Sequence, residues 1–102
     1  MTQAYCNAPE YLGHIYTLCN PDAYYDFDDV VVVQDTRDGK VYAAQDAGCS
    51  CTTPFENHVF PTDFVEISSG KMLETYLEQC YPKYDPLDIE LAVAGVKKAL
   101  GQ

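Results

Sequence analysis

Residues 30–46 read VVVVQDTRDGKVYAAQD, and the fold turns on how this stretch doubles back on itself. Two apolar, β-branched runs flank Thr36-Arg37-Asp38-Gly39. Arg37-Asp38 suits the centre of a type I turn, and Gly39 supplies the left-handed residue of a G1 bulge. That turn pairs Thr36 with Lys40, Gln34 with Tyr42 and Val32 with Ala44. It puts Val31, Val33, Val41 and Ala43 on one face and Val30, Val32, Tyr42 and Ala44 on the other. Both faces are apolar, so the hairpin belongs inside a sheet covered by other elements.

On the N-terminal side, residues 22–29 (DAYYDFDD) interleave aromatics with four acids. They are expected to extend the sheet, either as a lead-in to the first strand or as a separate short strand. Asn20-Pro21-Asp22 is a turn signal. Before it, Tyr11, Leu12, Ile15, Tyr16 and Leu18 suit a short helix or an extended arm over residues 1–20, and the pattern does not choose between them.

On the C-terminal side, GCSCTTPFENHVFPTD reads as a loop, with Pro54 and Pro61 blocking regular structure. DFVEI at 63–67 alternates as a short strand does. Ser68 or Ser69 then caps a helix over 71–80, with Met72, Leu73, Tyr76, Leu77 and Cys80 on one face. Tyr81-Pro82 stops it. Asp85-Pro86-Leu87-Asp88 opens a second helix with a capping acid, a proline at the first helical position and an acid in the first turn. Its stripe is Ile89, Val93, Val96 and Leu100. Lys97 and Lys98 suit the negative end of its dipole, and Gly101 ends it. Strands followed by helices make the class α+β: a small antiparallel sheet with a central hairpin, packed by two C-terminal helices. The 102 residues form one domain, divided into 1–20, a sheet with its cysteine-containing loop over 22–67, and two helices over 69–100.

Sixteen acids stand against six bases, a net charge of −10. So few cations cannot neutralise a phosphate backbone, which excludes direct nucleic-acid binding and adhesion to anionic membranes. The longest apolar run, residues 30–33, is too short to span a bilayer. The start, MTQAYCNAPEYLGH, carries neither a basic region nor an apolar one of the secretory kind, so a cytoplasmic location is expected. The cysteine count is odd, at five, and with no export signal the thiols are expected to be reduced.

Cys49-Ser50-Cys51 is the one stretch that invites metal or redox chemistry. Residues two apart on a strand share a side, so Cys49 and Cys51 can converge, and His58 is the nearest further ligand. Structural zinc sites space their paired ligands more widely, however, and no second pair with recognisable spacing exists among Cys6, Cys19, Cys80 and His14. No metal and no cofactor is therefore expected, and two small buried thiols where the hairpin ends is the plainer reading. A Cys49–Cys51 disulfide would close a strained, easily reduced ring. A catalytic cysteine needs an oriented base, and nothing orients His58. Asp26, Asp28 and Asp29 lack the D-x-D-x-D-G spacing of a calcium loop. With no phosphate-cradling loop, no G-x-S-x-G and no H-E-x-x-H, the chain reads as a non-enzyme.

Nine tyrosines are the remaining anomaly. Tyrosine anchors interfaces, and Tyr24 and Tyr25 adjoin Asp26, Asp28 and Asp29. The leading reading is an acidic, aromatic surface that binds a protein partner. The alternative is a small metal- or redox-dependent domain centred on Cys49 and Cys51. Mimicry of DNA by ordered rows of acids is a special case of the first.

The run YDFDDVVVVQDTRDGKVYAAQDAGCSCTTPFE resembles a family of small uncharacterised proteins encoded by phages of actinobacteria. Tyr42, Asp46, Gly48, Cys49, Ser50, Cys51, Pro54, Phe55 and Glu56 match its hairpin and Gly-Cys-Ser-Cys…Pro-Phe-Glu pattern. Thr52 departs from it, since a proline follows the second cysteine there. The resemblance covers residues 24–56, about a third of the chain. It implies a phage origin and expression in a bacterial host's cytoplasm, where the partner would be a host factor. It brings no known activity.

Overall fold

The hairpin of residues 30–46 is the centre of the fold, at the middle of one four-stranded sheet. The computed structural model describes residues 8–19, 26–49, 59–80 and 84–102, with the backbone alone at 26–28, 47–49 and 80. In chain order the elements are β1 (Leu12–Cys19), β2 (Asp26–Asp35), β3 (Val41–Cys49), β4 (Val65–Ile67), α1 (Gly70–Cys80) and α2 (Pro86–Ala99). The strands lie in the order β1-β2-β3-β4 with every neighbouring pair antiparallel. The α+β reading, with a central hairpin and two C-terminal helices, therefore holds.

The hairpin register is one residue off the sequence reading. Gln34 pairs with Val41, Val33 with Tyr42 and Val32 with Ala43. The loop is longer than a three-residue G1 turn. Asp35 N donates to Lys40 O at 2.8 Å, and Gly39 N donates to Asp35 O at 2.8 Å. The cause is a side chain. The Asp35 carboxylate accepts from Arg37 N at 2.9 Å, caps the loop as it would cap a helix, and winds one turn before Gly39 exits at φ +80°. A one-residue shift turns the whole of β3 over. Val41 and Ala43 accordingly join Val30 and Val32 beneath the helices, while Ala44 and Tyr42 join Val31 and Val33 on the other face. Both faces remain apolar, as expected of a covered hairpin.

Between the short helix and the extended arm left open for residues 1–20, the described residues 12–19 are extended, as a full strand on the edge of the sheet. A bulge between His14 and Tyr16 hides the alternation. Leu12 pairs with Asp35 and belongs to one core, yet Leu18 pairs with Val30 and belongs to the other. Equal parity on the two sides of a bulge means opposite faces.

The helix side of the sheet holds the larger core. Leu18, Val30, Val32, Val41, Ala43 and Ile67 meet Leu73 and Leu77 of α1 and Ala92, Val93 and Val96 of α2. Each fully buried aliphatic side chain here contributes about 1.5–3 kcal/mol. Met72, read as part of the α1 stripe, sits at its margin, 39% exposed, and its sulfur accepts from Ser68 N and Oγ. Ser69 caps α1 through Met72 N at 3.1 Å, and Asp85 caps α2 through Leu87 N at 2.8 Å. Past Ala99 the chain closes with Gly101 at φ +72°. Gly101 N donates to Lys98 O and Gln102 N to Lys97 O, a Schellman pairing. The opposite face is covered by Ala8, Tyr11, Phe60 and Phe64. Phe60 meets Tyr42 edge-on at 4.9 Å and Phe64 at 5.4 Å.

Candidate functional site

Antiparallel pairing about the loop at 36–39 brings residues 26–29 beside residues 46–49. Asp26 is opposite Cys49, Asp28 opposite Ala47 and Asp29 opposite Asp46, while β1 brings Cys19 to the other side of Asp29. The acidic stretch and the first cysteine of the Cys49/Cys51 pair thus share one end of the sheet, although they lie twenty-odd residues apart in sequence. The side chains of Asp26, Asp28 and Cys49 lie outside the described residues, as do Tyr24, Tyr25, Cys51 and His58 altogether. In register, Asp26 and Asp28 have the parity of Val30 and Val32, and Asp29 that of Val31 and Val33. The run therefore does not fall on one face of its strand.

Of the five residues read as a partner surface, Asp29 has a described environment, and it is crowded with like charge. Facing carboxylates across a ladder cost stability on their own, and Asp29 faces Asp46. The Cys19 thiol is pushed up from its ordinary value, first by partial burial and then by the charge and hydrogen bond of Asp29, with Asp88 adding to it. A thiol so placed stays protonated, the reverse of what a nucleophile or metal ligand requires.

The second helix delivers two more acids to this end. Asp85 caps α2 and Asp88 lies in its first turn, where Tyr16 Oη of β1 donates to Asp88 Oδ1 at 2.8 Å. That hydrogen bond, with burial behind it, holds the Tyr16 phenol above its usual range. Sequence reasoning left out Asp46, Asp85 and Asp88. The hairpin signal was sufficient to place Asp46, whereas the α2 acids reach the site only through tertiary packing.

The cations collect at the opposite end. Arg37 and Lys40 belong to the hairpin loop and its exit. Gln34 Nε2 donates to Ala99 O at 3.2 Å, which seats the last turn of α2, with Lys97 and Lys98, beside that loop. The Lys97 stem lies over the start of α1, where a Cβ on Gly70 would come within 2.7 Å of Lys97 Cγ, and Lys71 follows. Five of the chain's six bases are therefore at the hairpin end; Lys83 lies outside the described residues. Asp35, Asp38 and Glu66 (opposite Tyr42) are there too, but Asp35 is gripped by Arg37, whose guanidinium also lies 3.5 Å from the centre of the Tyr11 ring.

His14 stands apart from the cysteines of the far end. It lies opposite Val33, seven positions along β2 from Asp26 and Cys49, or about 23 Å at strand spacing. Its Nε2 is 2.7 Å from Thr17 Oγ1, and burial lowers its pKa. Among the described residues no group of three or more His, Cys, Asp and Glu side chains is placed to hold a metal ion, and no helix is long and apolar enough to cross a membrane.

No curated protein and no solved structure matches the chain. A family model described as a domain of unknown function, DUF7574, matches residues 6–99, which takes in all four strands and both helices. The chain belongs to the DUF7574 family.

Proposed function

We propose that this domain binds a protein, and that it presents the carboxylate-rich end of its sheet to a basic segment of that partner. One observation carries the reading: the described bases lie at one end of the molecule, mixed there with Asp35, Asp38 and Glu66, while the charged residues described at the other end are acids. Asp29, Asp46, Asp85 and Asp88, with the positions of Asp26 and Asp28, gather at one end, and Arg37, Lys40, Lys71, Lys97 and Lys98 at the other. Such a distribution steers a basic partner to one pole and raises the association rate more than the affinity. Tyr24 and Tyr25, adjoining Asp26 in sequence, supply the aromatic contact. Binding rather than catalysis is the role. The phage origin implied by the resemblance puts the partner among the proteins of a bacterial host's cytoplasm.

The test uses the immobilised domain and a host lysate, with capture measured at rising salt. Screening sets in within a Debye length of about 10 Å at 0.1 M salt, so retention should fall steeply with ionic strength. Replacing Asp26, Asp28 and Asp29 together with Asn should weaken retention while circular dichroism stays unchanged. A triple variant that keeps every partner at low salt would reduce this end to a solubilising surface.

A further inference from the structure

The two helices run in opposite directions across the sheet and leave an open groove along their outer seam. Two adjoining depressions, of about 440 and 360 Å³, share Glu74, Pro86 and Ile89. Their floor is apolar: Pro86, Ile89, Val93 and Ala94 of α2. Their rim is acidic, with Glu74 and Glu78 on α1 and Glu90 on α2. Lys97 is the one cation lining it, and it lies at the hairpin end. None of the three glutamates forms an ion pair with a described residue.

We propose that this groove seats a basic amphipathic helix of a partner protein. The inference rests on the reading that the domain binds a protein, and it adds the class of segment bound. A helix laid in the seam places apolar side chains over Ile89, Val93 and Ala94 and sets lysines or arginines against Glu74, Glu78 and Glu90. A second copy of this chain is disfavoured by its net charge of −10, and only its hairpin end, with five bases, could face the glutamates. The same rim repels nucleic acid. Charge along the groove also gives the occupant a direction. Glu78 marks the acidic end and Lys97 the other, so the N-terminus of the bound helix, the positive end of its dipole, points toward Glu78.

The probe is a synthetic amphipathic helix with leucine on one face and lysine on the other, labelled for fluorescence anisotropy. The wild-type domain should bind it. Ala94→Arg, and separately Glu74→Lys with Glu90→Lys, should raise Kd about tenfold or more. Leu91→Arg serves as the control, since Leu91 is 48% exposed and does not line the groove. A glutamate-faced version of the peptide should not bind. Circular dichroism confirms that each variant is folded. The inference is overturned if the leucine–lysine helix does not bind the wild type, or if Leu91→Arg weakens binding as much as Ala94→Arg. It is overturned too if Ala94→Arg leaves Kd unchanged; should the Asp26/Asp28/Asp29→Asn variant then weaken binding, the acidic-end reading survives alone. Loss in the groove variants with an unaffected triple variant supports the groove and removes the acidic end.

Discussion

Asp35 and Arg37 close the central hairpin on each other. Arg37 donates to one carboxylate through its backbone N, its Nε and its Nη2, at 2.9, 3.0 and 2.8 Å, and the Asp35 side chain is almost entirely buried. These bonds, the Arg37 side chain's first, hold Asp35 below its ordinary carboxylate range, against a burial effect of the opposite sign. A group whose pKa is lowered by folding stabilises the fold above its unfolded value, and that contribution fades as pH falls through the folded value. Asp35→Asn should therefore melt below wild type at about pH 7, and the gap should narrow toward about pH 2. An equal gap at both pH values would mean that the carboxylate's charge is not what closes the loop.

Burial separates Leu73 and Leu77 from Met72 on the same helix. Leu73→Ala or Leu77→Ala should lose about 2–5 kcal/mol in denaturant unfolding, since both are fully buried. Met72→Ala should lose far less, because the side chain is 39% exposed and its neighbours can close over it. Comparable losses at all three positions would show that Met72 belongs to the core.

Gly95 sits in the middle of α2, where alanine would ordinarily gain about 1 kcal/mol. A Cβ there would lie 2.9 Å from Ile15 Cγ2 of β1, and a branched side chain cannot swing that methyl aside. Gly95→Ala should consequently destabilise the domain, whereas in an Ile15→Ala background the same change should stabilise it. A double-mutant cycle measured by thermal unfolding reads the reversal of sign; no reversal would mean that α2 is not seated directly on Ile15.

Gly39 has open space around it and a φ of +80°. Gly39→Ala should cost about 1–2 kcal/mol from backbone strain alone, and Gly39→Asn less, because asparagine tolerates the left-handed region. Equal losses for the two variants would point to a lost contact instead.

Much of the fold was written locally. Asp85-Pro86 opens α2, Gly101 ends it, and the valine run with its turn gives the hairpin, because caps and turns depend on near neighbours. The register was not legible, since it depends on whether the Asp35 side chain caps the loop, and that choice is made among three-dimensional alternatives of similar sequence. β1 was not legible because its bulge breaks the alternation that a strand is recognised by. The candidate site was half legible: residues 26–29 announce themselves as acidic, but Asp46, Asp85 and Asp88 arrive through pairing and packing. The acidic groove between α1 and α2 was hidden because Glu74, Glu78 and Glu90 look, along the chain, like ordinary solvent-facing residues.

The bulge in β1 changes what has to be inherited along that strand. Residues before it serve one core and residues after it serve the other. Exchanging one apolar side chain for another at Leu12 or Leu18 perturbs a single layer. Removing the extra residue of the bulge would instead give a regular ladder in which Leu12 stays opposite Asp35 and Leu18 opposite Val30, each on its present face. The bulge is therefore the place where this strand can shed a residue without exchanging its two cores, whereas a further insertion or deletion on either side of it would turn the residues beyond over.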